Sequence, residues 1–163
     1  MALPYTQGVQ QEILEVFIEA VRQVFRETDL VISSVNPSLE EDSDDQIITS
    51  VCVTGDIRGI FMLLTDAVSA SAVLRAMTGT VRLPVAGAKL NEIQLAALGE
   101  LANQISGRAI TLLSERQLTC DITPPAIVAA KKLQSCVPDV TEPLRQTIRG
   151  PFGRLTLFLG LQA

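Results

Sequence analysis

The sequence predicts an α+β domain: a mainly antiparallel sheet built from hairpins and covered by about three helices, one of them long. Two observations favour this class. Two pairs of apolar, β-branched runs are each joined by a glycine-containing turn, which is the signal of a β-hairpin. Other segments repeat apolar residues every three to four positions, as amphipathic helices do. Helices of this kind bury their apolar stripes on a sheet, so they should cover at least one of its faces.

Length and composition agree with one aliphatic core. A chain of 163 residues suits one domain, here taken as residues 1–163. Such a chain buries roughly two thirds of its surface. The apolar fraction is 47% but only 4% is aromatic, so Leu, Ile, Val and Ala must fill the core.

The first half of the chain begins with a predicted helix over residues 8–27, followed by a strand over residues 29–35 and an acidic loop over residues 36–46. A hairpin over residues 47–66 follows, with its turn at Gly55–Asp56. The apolar residues that define the helix are Ile13, Leu14, Phe17, Ile18, Val21, Val24 and Phe25.

Two residues of this hairpin carry specific expectations. Gly59 in the second strand predicts a close backbone approach or a bulge. Cys52, in the apolar run "SVCVTG", is expected to be a small buried hydrophobe. A second helix should begin after Asp66, its N-cap, and end before Gly79.

The second half contains a connector over residues 80–90 and one long helix over residues 90–115, with Asn91 as a candidate cap. A strand within residues 118–130 should stop at Pro124 and Pro125. An irregular stretch over residues 131–143 leads to a second hairpin over residues 144–161, turned at residues 150–153. The pattern leaves open whether "LTLFLGL" is a central or an edge strand.

Composition excludes several functions. The formal net charge of −5 lacks the basic footprint of nucleic-acid binding. The chain has no histidine, which removes Ser–His–Asp and Cys–His catalysis and histidine-ligated metals. Its three cysteines form no CxxC pair, so a zinc site is not expected. Without a signal peptide or a long apolar run, the expected location is cytoplasmic, with no membrane span.

The long helix has an unusual outer face. At about 100° per residue, its apolar residues share one arc, and Glu100 and Asn103 project together on the opposite side, one turn apart. Small residues surround this pair. The apolar arc contains Leu95, Leu98, Leu101, Ala102, Ile105, Ala109, Leu112 and Leu113, and the outer face contains Ala96, Gly99, Gln104 and Gly107 beside the pair.

Glycine inside a helix costs roughly 1 kcal/mol relative to alanine. Gly99 and Gly107 therefore need a reason, and the close approach of a partner's surface is one. Packing of these glycines against the first helix is another. The polar pair also has a simpler explanation, because a Glu and an Asn at this spacing occur by chance on solvated helices.

The segment "GELANQISG" resembles the signature of the CheC/CheX/FliY phosphatases of bacterial chemotaxis, Asp/Ser-x3-Glu-x2-Asn with a distant proline. Glu100 and Asn103 match its core. Pro124 and Pro125 lie one or two residues short of the usual proline spacing. The segments "FIEAVRQVF", "VCVTGDIRGIFMLL" and "LRAMTG" resemble other parts of this family in the same order, so the resemblance covers residues 13–160 and implies a CheC-like fold.

The sequence departs from the family pattern at two places. Ala96 stands where the signature has Asp or Ser. The first helix offers Glu15-x2-Ile18 and Glu19-x2-Arg22, neither with the Asn of a second motif. A single motif is similar to the CheX branch, whose members form homodimers.

The resemblance implies a phosphatase of two-component signalling that acts on the aspartyl phosphate of a CheY-type response regulator. Asn103 would hold the attacking water in line with phosphorus, and Glu100 would pair with the regulator's active-site lysine. Mg²⁺ would come with the regulator, and no metal or cofactor of the chain's own is expected. Ala96, Gly99, Gln104 and Gly107 would form the partner-binding surface.

Two alternatives remain. One is a non-catalytic module that binds a regulator, or a flagellar-switch or signalling adaptor. The other is a dimerisation domain whose glycine-containing stripe is the subunit contact.

Overall fold

The computed structural model describes residues 6–38, 47–78, 90–129 and 143–162. This part of the chain forms three helices and seven strands, and its fold class is the predicted one. In chain order the elements are α1 (Gln7–Glu27), β1 (Ser34–Pro37), β2 (Ile47–Gly55), β3 (Gly59–Thr65), α2 (Ala67–Thr78), α3 (Glu92–Glu115), β4 (Cys120–Ile122), β5 (Ala126–Ala129), β6 (Leu144–Gly150) and β7 (Gly153–Leu161).

All strand pairs of the sheet are antiparallel, in the order β1-β6-β7-β3-β2. Strands β4 and β5 both pair with the outer edge of β2, one after the other. Both predicted hairpins are present as β2–β3 and β6–β7. Strand β7, the segment "LTLFLGL", lies between β6 and β3 and is therefore central.

The first predicted strand is displaced. It begins at Ser34 rather than at Asp29, and it includes Pro37, which the sequence pattern placed in the loop. Asp29 has a positive φ of 57°, and the amide of Leu30 donates to the carbonyl of Phe25, so the chain is still leaving α1 there. Pro37 is accommodated because β1 is an edge strand, where a missing N–H is tolerated.

The expectation that a strand stops at Pro124 and Pro125 is correct only in part. Strand β4 ends at Ile122, but the chain re-enters the sheet after the prolines as β5. Proline has no N–H to donate, so the ladder with β2 is interrupted. The chain stays beside β2 through that interruption, because the hydroxyl of Thr123 accepts from the amide of Cys52 at 3.0 Å.

Of the two predictions made for residues of the first hairpin, the one for Gly59 is confirmed and the one for Cys52 is wrong. A Cβ on Gly59 would collide with the carbonyl oxygen of Gly160, so the predicted close approach is confirmed. The prediction that Cys52 is buried is wrong, because its side chain is exposed. Side chains alternate along a strand, and Val51 and Val53 occupy the core-facing positions of β2, so Cys52 points to the opposite face.

The main core lies between one face of the sheet and the pair α1–α3. Phe17 of α1 stacks on Phe61 of β3 with ring centroids 4.9 Å apart, at a tilted angle. The opposite face of the sheet carries a second buried cluster, consisting of Ile48, Ile60, Met62, Leu64 and Phe158. A third, smaller cluster joins α2 to α3.

Local capping residues set the starts of the helices. The Thr6 hydroxyl accepts from the amide of Val9 at the start of α1, and an Asp66 carboxylate oxygen accepts from the amide of Ser69 at 2.7 Å, as predicted for α2. Gly79, Cys136, the connector over residues 80–89 and most of the acidic and irregular segments lie outside the described residues. Among the helices in the described ranges, none is long and apolar enough to cross a membrane.

Candidate functional site

Helix α3 buries one face and exposes the other, as the helical wheel predicts. Leu95 and Leu112 are half-buried at the edges of the core face. The fully buried residues of this helix are Leu98, Gly99, Leu101, Ala102, Ile105, Ser106, Ala109 and Leu113. The outer face runs along the helix as a ridge, which we define by Ala96, Glu100, Asn103, Gln104 and Gly107.

Glu100 and Asn103 lie one turn apart on this ridge. Glu100 is exposed and Asn103 is half-buried. No hydrogen bond or ion pair joins either side chain to another part of the chain that the structure describes. A carboxylate and a carboxamide are thus displayed together without internal partners, where a second molecule can meet both.

Two sets of contacts fix the ridge in place. At its start, Asn91 and Gln94 form a reciprocal capping box. The backbone amide of Gln94 donates to Oδ1 of Asn91 at 2.8 Å, and the backbone amide of Asn91 donates to Oε1 of Gln94 at 2.9 Å. Further along, Arg108 donates to Glu27 at 2.6 Å and to Gln23 at 3.2 Å, both on α1. The helix therefore presents its polar pair from a capped element that contacts α1.

Gly99 does not belong to the exposed ridge. The resemblance assigned it to the partner-binding surface, but the structure places it among the buried residues of α3. A Cβ on Gly99 would lie 3.3 Å from Cγ of Pro125 and 4.0 Å from Cδ1 of Ile127. Gly99 is small so that the segment leading into β5 can pack on α3. The alternative of packing against the first helix does not explain it either.

The other small and polar residues surround the pair as expected. Ala96 and Gln104 are exposed, and Gly107 is half-buried. A Cβ on Gly107 would have nothing within 4 Å. Among the described contacts, the fold therefore gives no packing reason for a glycine at position 107.

Sequence reasoning missed two isoleucines near the site. Ile93 is 81% exposed on the first turn of α3, and Ile127 is 38% exposed on β5. The spacing from Ile93 to Glu100, two turns of one helix, was a signal that could have placed Ile93 on the same face. No local pattern indicates that Ile127 lies beside α3, since that contact joins distant parts of the chain.

Within the described ranges, no three His, Cys, Asp or Glu side chains are grouped so that they could hold a metal ion. The chemistry that the ridge offers comes from the carboxylate of Glu100 and the carboxamides of Asn103 and Gln104. An amide can accept a hydrogen bond from water and donate one to an oxyanion, and a carboxylate can pair with a cation.

Comparison with known proteins identifies relatives by sequence and by fold. A curated relative, the CheY-P phosphatase CheX of Thermotoga maritima, is 31% identical over 88 residues, which are 54% of this chain and 54% of that protein. The chain thus matches about half the length of this relative.

Solved structures share the fold over nearly the whole chain. The CheX–CheY–BeF3–Mg²⁺ complex from Borrelia burgdorferi gives a TM-score of 0.74 at 21% identity, covering 93% of this chain and 98% of that one. A CheC-like superfamily protein from Shewanella sp. PV-4 gives 0.71 at 14% identity, covering 93% and 97%.

The family comparison covers the region that contains the ridge. The model described as "Chemotaxis phosphatase CheX" matches residues 47–149, from the start of β2 into β6. These residues include α3 with Glu100 and Asn103. The chain belongs to the chemotaxis phosphatase CheX family.

Proposed function

We propose that this protein hydrolyses the aspartyl phosphate of a CheY-type response regulator. The observation that carries the proposal is the display of Glu100 and Asn103 on one helical ridge, with neither side chain engaged by the described part of the chain. The Thermotoga relative, described as a CheY-P phosphatase, supports the substrate class. The Borrelia structure, a complex with CheY, BeF3 and Mg²⁺, supports the kind of partner.

Asn103 positions the attacking water in this proposal. An aspartyl phosphate is already reactive, so its hydrolysis depends mainly on placing water in line with phosphorus and on stabilising charge. The amide oxygen of Asn103 accepts a hydrogen bond from the water, and the amide nitrogen donates to a phosphoryl oxygen. The amide keeps both functions at any ordinary pH, which suits a chain without histidine.

Glu100 sets the docking register. Its carboxylate pairs with the active-site lysine of the regulator, one turn of helix away from Asn103. Charge stabilisation at the phosphoryl group comes from this lysine and from the Mg²⁺ that the regulator carries. The protein itself supplies the ridge, the amide and the carboxylate, and holds no metal or cofactor in this mechanism.

Gly107 lets the ridge enter a narrow pocket. A glycine in a helix costs roughly 1 kcal/mol relative to alanine, and no described residue occupies the space beside Gly107. That space is available to the backbone or a side chain of the regulator. Ala96, on the other side of Glu100, likewise adds little bulk.

Loss of phosphate from a purified, phosphorylated CheY-type receiver domain tests the proposal. Wild-type protein should accelerate this loss, and Asn103→Ala should remove about 100-fold or more of the acceleration, since a positioned group contributes at that level. Val31→Gln, an exposed site by the β6–β7 turn rather than on α3, is the control and should keep the wild-type rate. Hydrolysis by Asn103→Ala at the wild-type rate, with the helix content intact, would contradict the assignment.

Glu100→Gln separates docking from water placement. It should weaken binding of the receiver more than it changes the rate at saturation, because the charge acts on the partner's lysine. Replacement of that receiver lysine by methionine should make Glu100→Gln and wild-type protein equivalent in affinity. If Glu100→Gln and the receiver's lysine-to-methionine change weaken binding by additive amounts of free energy, Glu100 does not contact the lysine.

A non-catalytic, receiver-binding adaptor is the second candidate, and Ala96 favours it, because the family signature has Asp or Ser there. Binding of the phosphorylated receiver without accelerated dephosphorylation would establish it. Homodimer formation stays a prediction, to be checked by light scattering. A dimer whose interface covers Glu100 and Asn103 would contradict both candidates.

A further inference from the structure

Ile93 is the most exposed of the large apolar side chains in the described residues, with 81% of its surface accessible. It lies on the first turn of α3, two turns before Glu100, so both project from the same side of the helix. A single exposed isoleucine is ordinary on a protein surface. The exposure of Ile93 therefore indicates a binding surface only in combination with the residues around it.

A second exposed isoleucine lies on the other flank of the polar pair. Ile127 of β5 is 38% exposed, and its Cδ1 lies 4.0 Å from the position of a Cβ on Gly99, one turn before Asn103. Ala96 is exposed between Ile93 and Glu100. Apolar surface thus lies on two sides of the pair, along the helix and beside it.

The backbone at both isoleucines belongs to regular secondary structure before any partner arrives. The capping box of Asn91 and Gln94 fixes the turn that carries Ile93. Ile127 is paired with Thr49 of β2 in the sheet. Binding through residues of an ordered helix and strand avoids the backbone entropy that is lost when a flexible segment orders on a partner.

The usual size of an interface bears on whether a contact centred on Glu100 includes Ile93. Seven residues of helix span about 10 Å. A specific interface buries about 800 Å² on each partner, which corresponds to a patch of about 16 Å radius. A contact of this size that is centred on Glu100 and Asn103 therefore also reaches Ile93, and it reaches Ile127 beside Gly99.

We propose that Ile93 and Ile127 are docking anchors for the receiver domain, contacting apolar side chains at the rim of its phosphorylation pocket. This inference rests on the proposed function and adds to it a division of roles. The isoleucines supply affinity for the receiver, whereas Glu100 and Asn103 supply register and water placement. In typical interfaces a few well-buried contacts carry most of the binding energy.

The test combines direct binding with kinetics. Titration of the full chain with a beryllofluoride-activated CheY-type receiver domain gives Kd, and phosphatase assays with the phosphorylated receiver give KM and kcat. Ile93→Gln should raise Kd and KM about tenfold, the size expected for loss of one buried anchor. Ile127→Gln, which starts less exposed, should raise both about threefold. In both variants the change falls on KM rather than on kcat.

Val31→Gln is the control, because Val31 is 60% exposed and lies by the β6–β7 turn, where its carbonyl approaches Gly150. It should leave Kd, KM and kcat unchanged. If Ile93→Gln binds the receiver as tightly as Val31→Gln does, the anchor role is overturned. It is also overturned if Ile93→Gln converts a dimer to a monomer at constant Kd, since the surface would then contact a second copy.

Different results would contradict the proposed function and the inference about the isoleucine anchors. Wild-type protein that neither binds nor dephosphorylates the receiver contradicts the proposed function itself. Wild-type protein that accelerates dephosphorylation, while Ile93→Gln and Ile127→Gln keep the wild-type Kd and KM, contradicts only the inference about the anchors.

Discussion

Gly99 and Pro125 are in contact: a Cβ on Gly99 would stand 3.3 Å from Cγ of Pro125, closer than side chains normally pack. Gly99 immediately precedes Glu100, and Pro125 immediately precedes β5. This contact joins the helix that carries the polar pair to the strand that carries Ile127. It therefore couples the shape of the candidate site to a packing detail of the interior.

Gly99→Val should separate these two elements. Its γ-methyl groups would overlap the ring of Pro125, and overpacking of this kind lowers the free energy of unfolding by about 1–3 kcal/mol. The proposed phosphatase rate should fall as well, because α3 or β5 must move beside Asn103. Urea denaturation and the receiver assay measure the two effects. Unchanged stability would mean that the contact relaxes at no cost.

Gly107→Ala is predicted to have the opposite effect on stability. No described atom beyond the neighbouring residues and backbone of its own helix lies within 4 Å of the added Cβ, so the free energy of unfolding should rise by up to about 1 kcal/mol through helix propensity. Affinity for the phosphorylated receiver should fall, because the partner needs that space. If Gly107→Ala is more stable and binds the receiver as tightly as the wild type, the space is not used for docking.

Ser106→Ala should stabilise the protein. The Ser106 hydroxyl is fully buried, and no hydrogen-bond partner for it is found among the described residues. A buried hydroxyl without a partner is unfavourable, and alanine is the better helix former, so the gain should be about 1 kcal/mol. Ser114→Ala, exposed on the same helix, measures the propensity effect alone. Equal gains in the two variants would show that the Ser106 hydroxyl is satisfied in solution.

The Arg108–Glu27 ion pair should contribute little. Its atoms are 2.6 Å apart, but the side chains are 33% and 58% exposed, so solvent screens the attraction. Glu27→Gln should lower the free energy of unfolding by less than about 1 kcal/mol, and less still in high salt. Arg108→Ala should cost more, since it also removes the contact with Gln23 and the packing of the side-chain stem. Thermal unfolding at two salt concentrations checks both. A Glu27→Gln effect that does not change with salt would point away from an ionic contribution.

Local signals in the sequence were sufficient for much of the fold. The two hairpins, the caps Asp66 and Asn91, and the extents of α1 and α3 follow from periodicity, turn glycines and capping side chains. These are interactions between residues a few positions apart, so a short window of sequence contains all of the chemistry. A short window also predicts the orientation of Glu100 and Asn103, because both lie opposite the single apolar arc of the helical wheel.

The tertiary structure alone decided the features that depend on contacts between distant residues. The central place of β7, the return of the chain to the sheet at β5, and the exposure of Cys52 each depend on which strand pairs with which edge. The burial of Gly99 and the position of Ile127 beside α3 follow from that pairing. No local pattern encodes these contacts, because the free energy that selects an edge pairing comes from packing the whole sheet against its helices.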